Sequence, residues 1–303
     1  MTFKINSLGL RDREVSVKRP KGIYRIIVLG DSATAGFGVE LEETFPKQLE
    51  ALVNGHPGSR RYEVLNCAVS GYNTFQERVY LDSKGLALEP NLVILAYNLN
   101  DFKEKYRINN LGMLRRTEDY ADSHYSVDSY YSLVNLSELY LFLKVKYLDL
   151  KKRYFPSDKK WAPRSWGQLL EEYQEFYATG GDERWDQVKA DLLEMASLAQ
   201  RHGAHLMVVI LPMRYQLKGD ESSLNFPQDM VKRHLKRHRI PYLDLLPAFR
   251  NFRDASSDVL FIDFSHPASP GHALVAKELY RYLQAQRPDG PARVSDAILA
   301  GSE

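Results

Sequence analysis

Four short blocks of this chain hold the side chains that acyl-transfer chemistry requires. The first is Gly30-Asp31-Ser32-Ala33-Thr34-Ala35-Gly36-Phe37-Gly38, directly after the apolar run Arg25-Ile-Ile-Val-Leu29. A serine hydroxyl becomes a useful nucleophile when a neighbouring base takes its proton and an acid orients that base. Both partners stand in Asp263-Phe264-Ser265-His266-Pro267 near the other end of the chain. His266 is the candidate to accept the Ser32 proton, and Asp263, three residues earlier, the candidate to hold the imidazole tautomer. Taken alone, an Asp-x-x-His pair is explained as well by a capped turn before Pro267. Two middle blocks shift that balance: Ala68-Val69-Ser70-Gly71-Tyr72-Asn73 and Asn98-Leu99-Asn100-Asp101. Attack on an ester develops an oxyanion that needs two or three fixed donors. The Ser32 and Gly71 backbone N–H groups and the Asn100 amide are the candidates, with Asn73 and Asn98 as possible substrate contacts. Asp31 is expected to tie down the Ser32 loop through backbone hydrogen bonds, without taking a proton in the chemistry.

To act together these blocks must meet at one edge of a sheet. Residues 25–29, 63–67, 91–97, 205–211 and 241–244 are short apolar runs of strand length, and 91–97 is apolar throughout, as in a strand covered on both faces. Helical periodicity occupies 45–53, 75–85, 185–201 (with Gly203 as a stop), 226–238 and 270–284. Strands alternating with helices imply right-handed crossovers and a parallel sheet with helices on both faces. In such folds the chemistry gathers at the carboxyl ends of the strands, which is where all four blocks fall.

The stretch 102–181 breaks the rhythm. Within 133–154, Leu136, Leu139, Tyr140, Leu143, Tyr147 and Leu150 recur at helical spacing. A helical insertion packed on the body and a lid or partner surface over the site both fit this pattern. Its Tyr130, Tyr131, Tyr140, Trp161 and Trp166 suit sugar stacking and a helical core equally. The expected organisation is a lead-in over 1–22, one domain over 23–287 carrying a helical insertion at about 102–181, and a tail over 288–303.

Composition narrows the alternatives. Among 303 residues, Lys plus Arg number 41 and Asp plus Glu 39, so the net charge of +2 gives no reason to expect nucleic acid as a partner. The lone Cys67 can form neither an internal disulfide nor a cysteine metal cluster, and is expected to be a small core residue. His234 and His238 stand one helical turn apart, but Lys232, Arg233, Lys236, Arg237 and Arg239 oppose a dication, so a solvated basic face is expected and no metal. His272 reads as structural. The glycines of the Ser32 block match neither the dinucleotide pattern nor the nucleotide-triphosphate loop, and G-x-S-x-G is absent. No run is long and apolar enough to span a bilayer, and Met1-Thr-Phe-Lys-Ile-Asn6 lacks a signal-peptide pattern, so the chain as given is expected to be soluble. Its compartment and oligomeric state are left open.

The four blocks resemble the SGNH (GDSL-type) hydrolase family, whose Ser, Gly, Asn and His correspond to Ser32, Gly71, Asn100 and His266 in the same order. Asn98 stands where that family usually has glycine. The resemblance implies a flavodoxin-like α/β/α sandwich with a central five-stranded parallel sheet and a serine esterase or deacylase that needs no cofactor. Its substrate would be a small-molecule or glycan ester. An O-acyltransferase using the same site, and a non-catalytic glycan- or protein-binding module, are the alternatives. Asn6-Ser-Leu-Gly-Leu-Arg-Asp12 is similar to the lead-in of bacterial members often anchored outside the cytoplasm.

Overall fold

The computed structural model describes residues 3–55, 60–101, 106–108, 114–116, 183–217, 222–252 and 257–286. Its strands are β1 (Ile23–Gly30), β2 (Arg61–Asn66), β3 (Leu92–Asn98), β4 (Tyr106–Ile108), β5 (Leu114–Arg116), β6 (His205–Leu211) and β7 (Tyr242–Asp244). Its α-helices are α1 (Ser32–Ala35), α2 (Phe45–Asn54), α3 (Thr74–Tyr80), α4 (Glu183–Arg201), α5 (Ser222–Arg237), α6 (Leu246–Arg250) and α7 (Ser269–Ala285). Two compact units are present, one formed by Met1–Lys103 with Tyr173–Glu303 and the other by Glu104–Glu172.

The first unit holds a five-stranded parallel sheet in the order β2-β1-β3-β6-β7. With the β4–β5 pair set aside, this is the flavodoxin-like order, with its switch point between β1 and β3. Side chains alternate across a strand, so each core strand feeds two layers. Val28, Ile94 and Val209 join Phe45 and Leu49 of α2 and Val275 and Leu279 of α7 in one cluster. Ile27, Leu95 and Val208 lie on the opposite face and are fully buried. On that side α3 packs against α4, and α4 against β6. Burial on both faces is why these strands are unbroken apolar runs. Truncating a member such as Leu95 to alanine costs about 2–5 kcal/mol.

The five strands stand where apolar runs predicted them. The helix expected over 75–85 instead ends at Tyr80 and continues as one wide π turn over Leu81–Gly85. That turn lays Gly85 against Ile27, where a β carbon would come within 3.2 Å of Cδ1. Cys67 sits just past β2 rather than within it, and its N–H donates to Val28 O at 2.9 Å. Burial pushes its thiol up to about 12.

The second unit lies within the stretch 102–181. Its described part is an antiparallel pair, β4 with β5, matching Tyr106 to Arg116 and Ile108 to Leu114. Sequence periodicity did not anticipate it, because three residues per strand are too few to show alternation. The helix expected over 133–154, the five aromatic residues named above and the tail 288–303 lie outside the described residues. Among the described residues no helix is long and apolar enough to cross a membrane.

Candidate active site

β1 delivers the chain to Gly30 and α1 begins two residues later. A β carbon at Gly30 would collide with the Thr34 side chain, so the strand-to-helix reversal needs glycine there. Asp31, fully buried, caps the helix, and its Oδ1 accepts the Ala33 N–H at 2.9 Å. As the first helical residue, Ser32 carries an N–H that the helix itself cannot satisfy. The turn closes at Gly36 (φ 84), whose N–H donates to Ser32 O at 3.1 Å, as does the Phe37 N–H at 3.0 Å.

One helical turn does not stabilise itself. Its later carbonyls, and those of the turn that follows, are met by side chains from elsewhere, chiefly from the segment ahead of β1. Arg11, 2% exposed, donates from Nη1 to Ala35 O and Gly36 O, both at 2.5 Å, and from Nη2 to Val39 O at 2.6 Å. Asn66 Nδ2 donates to Thr34 O at 3.3 Å. The next residue, Asp12, accepts the Asn66 N–H on Oδ2 at 2.9 Å and Lys47 Nζ on Oδ1 at 2.8 Å. Asn6 shapes this strap: its Oδ1 accepts from the Leu8 and Leu10 N–H groups, and its Nδ2 donates to Arg13 O. The lead-in is thus a folded part of the site. Sequence reading passed over Arg11, although a buried-type Leu-Arg-Asp after an Asn-x-x-Gly turn was the available signal.

Asp263 and His266 sit on the loop before α7. Asp263 Oδ1 accepts two backbone N–H groups, those of Ser265 and His266, at 2.9 Å each. Its Oδ2 lies 2.7 Å from His266 Nδ1, and His266 Nε2 lies 2.8 Å from Ser32 Oγ. A carboxylate only accepts, so Nδ1 carries the ring proton and Nε2 is free to accept the serine hydroxyl. Burial alone would raise the Asp263 pKa. The His266 ring and the two backbone donors outweigh it and hold the carboxyl down at about 2.

Gly71 occupies the third position of a turn closed by Tyr72 N–H to Val69 O at 3.1 Å, with φ 84, a backbone state that glycine adopts without strain. The β3 loop closes on itself through Asn98 N–H to Asp101 Oδ2 at 2.7 Å and Asp101 N–H to Asn98 O at 2.9 Å. Thr74 N–H donates to Asp101 O at 3.4 Å, which joins the Gly71 and Asn100 loops. Asn100 is 8% exposed. Asn73 and Asn98, expected as substrate contacts, both have partners within the protein. Asn73 caps α3, its Oδ1 accepting the Gln76 N–H at 3.0 Å. Asn98 is buried, with Nδ2 turned to Asp31 Oδ2 at 3.5 Å. His272 is fully buried, and its Nδ1 accepts the Phe45 N–H at 3.2 Å. Burial, reinforced by the nearby Arg11 charge, pushes its pKa down to about 3. His234 and His238 face each other with ring centroids 4.7 Å apart, and among the described residues no group of three metal-ligating side chains forms.

A model of the GDSL-like lipase/acylhydrolase family matches residues 28–274. No curated protein matches the sequence. Among solved structures the chain is similar to Axe2, an acetylxylan esterase from Geobacillus stearothermophilus, at 13% identity and a TM-score of 0.51, covering 85% of this chain and 93% of that one. It is also similar to LAE5, an alpha/beta hydrolase enzyme from the metagenome of Lake Arreo, Spain, at 14% identity and a TM-score of 0.50, covering 85% and 94%. At these identities the likeness carries the fold.

Proposed function

Because the chain belongs to the GDSL-like lipase/acylhydrolase family and is an ester hydrolase, we propose that it cleaves carboxylic esters through an acyl-enzyme on Ser32. One observation carries the reading: a continuous hydrogen-bond chain from Asp263 through His266 to Ser32, at 2.7 and 2.8 Å, joining loops 234 residues apart.

In this mechanism Ser32 Oγ attacks the acyl carbon as its proton passes to His266 Nε2. The negative carbonyl oxygen is held by the Ser32 and Gly71 N–H groups and the Asn100 amide. Asp263 stabilises the imidazolium and takes no proton. Nε2–H then protonates the departing alkoxide, leaving alcohol and an ester on Ser32. Water attacks that ester with its proton going to His266, and the imidazolium returns the proton to Ser32 as the carboxylic acid leaves.

The test is a screen of p-nitrophenyl esters from acetyl to long acyl, with acetylated glycans added because an acetylxylan esterase shares the fold. Ser32→Ala should abolish turnover while leaving the melting temperature near wild type. A serine-directed phosphonate should add once, at Ser32. Labelling at another serine with Ser32 untouched, or product that appears only as an ester of an added alcohol, would overturn this assignment.

A further inference from the structure

We infer that Phe37, Ile262 and Phe264 form an apolar subsite for the alcohol portion of the ester, selecting alcohols that present the apolar face of a ring. This rests on the Ser32–His266 mechanism proposed above.

Phe37 stands between Gly36 and Gly38, both at φ 84, so its ring is displayed on a turn whose two flanks favour glycine. Its centroid lies 4.7 Å from that of His266. Phe264 approaches the same imidazole edge-on at 6.5 Å. Ile262 packs over Gly38, where a β carbon would collide with Cδ1. Two loops therefore bracket the base with apolar side chains that remain open to solvent: Phe37 is 50% exposed, Ile262 43% and Phe264 36%. Scattered exposed apolar residues need no explanation, but two rings against one imidazole, with Ile262 over the adjoining Gly38, mark a binding surface.

The chemistry decides the occupant. His266 must protonate the leaving oxygen, so that oxygen comes within hydrogen-bond reach of Nε2. The carbon it bears then enters the space beside the imidazole, where Phe37 and Phe264 stand. In the mechanism above the oxyanion is held by the Ser32 and Gly71 N–H groups and the Asn100 amide, not by these rings. Phenyl and isoleucine side chains supply no hydrogen bonds, so a polar alcohol would be desolvated there without compensation. A ring face gains dispersion and aromatic contact instead.

Ethyl and benzyl acetate share an acyl group and have alcohols of similar acidity, so they isolate the subsite. Wild type should favour benzyl acetate in kcat/KM. Phe37→Ala and Phe264→Ala should each cut that preference by about two- to tenfold, the worth of one aromatic contact, mainly through KM. Leu52→Ala is the control: Leu52 is 38% exposed on α2, near Asn54, which pairs with Tyr62 at the opposite edge of the sheet. A preference unchanged by Phe37→Ala, with ethyl acetate turnover retained, overturns the subsite. Binding of benzyl alcohol to Ser32→Ala by saturation-transfer NMR reads the subsite without chemistry. Loss of that signal in Ser32→Ala/Phe37→Ala supports the subsite even if no ester is turned over, a result that would instead sink the Ser32 mechanism. Binding that persists overturns the subsite alone. A monoacetylated methyl glycoside as third substrate shows whether the ring is aromatic or a sugar, by which ester loses more in Phe37→Ala.

Discussion

Replacing Arg11 by methionine removes three donated hydrogen bonds and keeps most of the side-chain volume. Gly36 O retains the Val39 N–H at 3.3 Å, but Ala35 O and Val39 O lose their guanidinium donors inside the protein. A buried acceptor left without a partner costs about 1–3 kcal/mol, so two cost about 2–6 kcal/mol. Domain stabilities run at about 5–15 kcal/mol, and the variant should therefore remain folded at low temperature. The loss falls on the turn that aims Ser32, and misplacing a reacting group by about 1 Å costs about 100-fold in rate. The expected outcome is a kcat lowered about 100-fold, KM changed by less than about threefold, and slower phosphonate labelling of Ser32. Urea denaturation and steady-state hydrolysis, both at 15 °C, measure the two effects separately. Arg13→Ala serves as the control: its half-exposed side chain pairs with Glu50 and, at 3.9 Å, with Asp12, and such pairs are worth about 1 kcal/mol or less each. An Arg11→Met protein with full kcat, or with less than about 1 kcal/mol of lost stability, would refute this assignment of Arg11 to the nucleophile's support.

Asn100→Ala should lower kcat by about 100- to 1,000-fold with little change in KM, the cost of one oxyanion donor; a parallel loss of melting temperature and rise in KM would make Asn100 a loop-holding residue instead. His272 predicts an acid-side loss of stability. Its pKa falls from 6.5 unfolded to about 3 folded, so between those values the unfolded chain binds the extra proton and stability declines as pH drops. From pH 7.5 to 5 this amounts to about 2 kcal/mol, taking 1.36 kcal/mol per pH unit. His272→Asn keeps an acceptor for the Phe45 N–H and removes the titration. Denaturation curves for the two proteins should converge by about 2 kcal/mol over that range, whereas parallel pH dependences would refute it. His234, held at about 4 chiefly by burial, titrates in both proteins and cancels.

What could be read from the residues tracks how local the determining physics is. β3 and β6 were legible because burial on both faces leaves no polar position to interrupt the run. The meeting of Ser32, Asp263 and His266 was legible because each follows a strand or precedes a helix at a fixed offset, and the sheet brings such loops together whatever lies between. The internal partners of Asn73 and Asn98 were not legible, because an asparagine offers the same amide to a helix N-cap, to a buried carboxylate or to a substrate. Arg11 escaped because its partners lie 24 to 28 residues on, and an arginine in a loop ordinarily faces water.

The strap also imposes an order in time. It is synthesised ahead of its partners: Arg11 has nothing to grasp until Val39 exists, and Asp12 must wait for Asn66. His266 enters the chain 234 residues after Ser32. During synthesis, therefore, the groups that meet the Ser32 turn all exist long before His266 can reach the Ser32 hydroxyl. A nascent chain that has passed Asn66 already holds every partner of Arg11 and Asp12 named above, whereas the Ser32–His266 hydrogen bond waits for the loop ahead of α7.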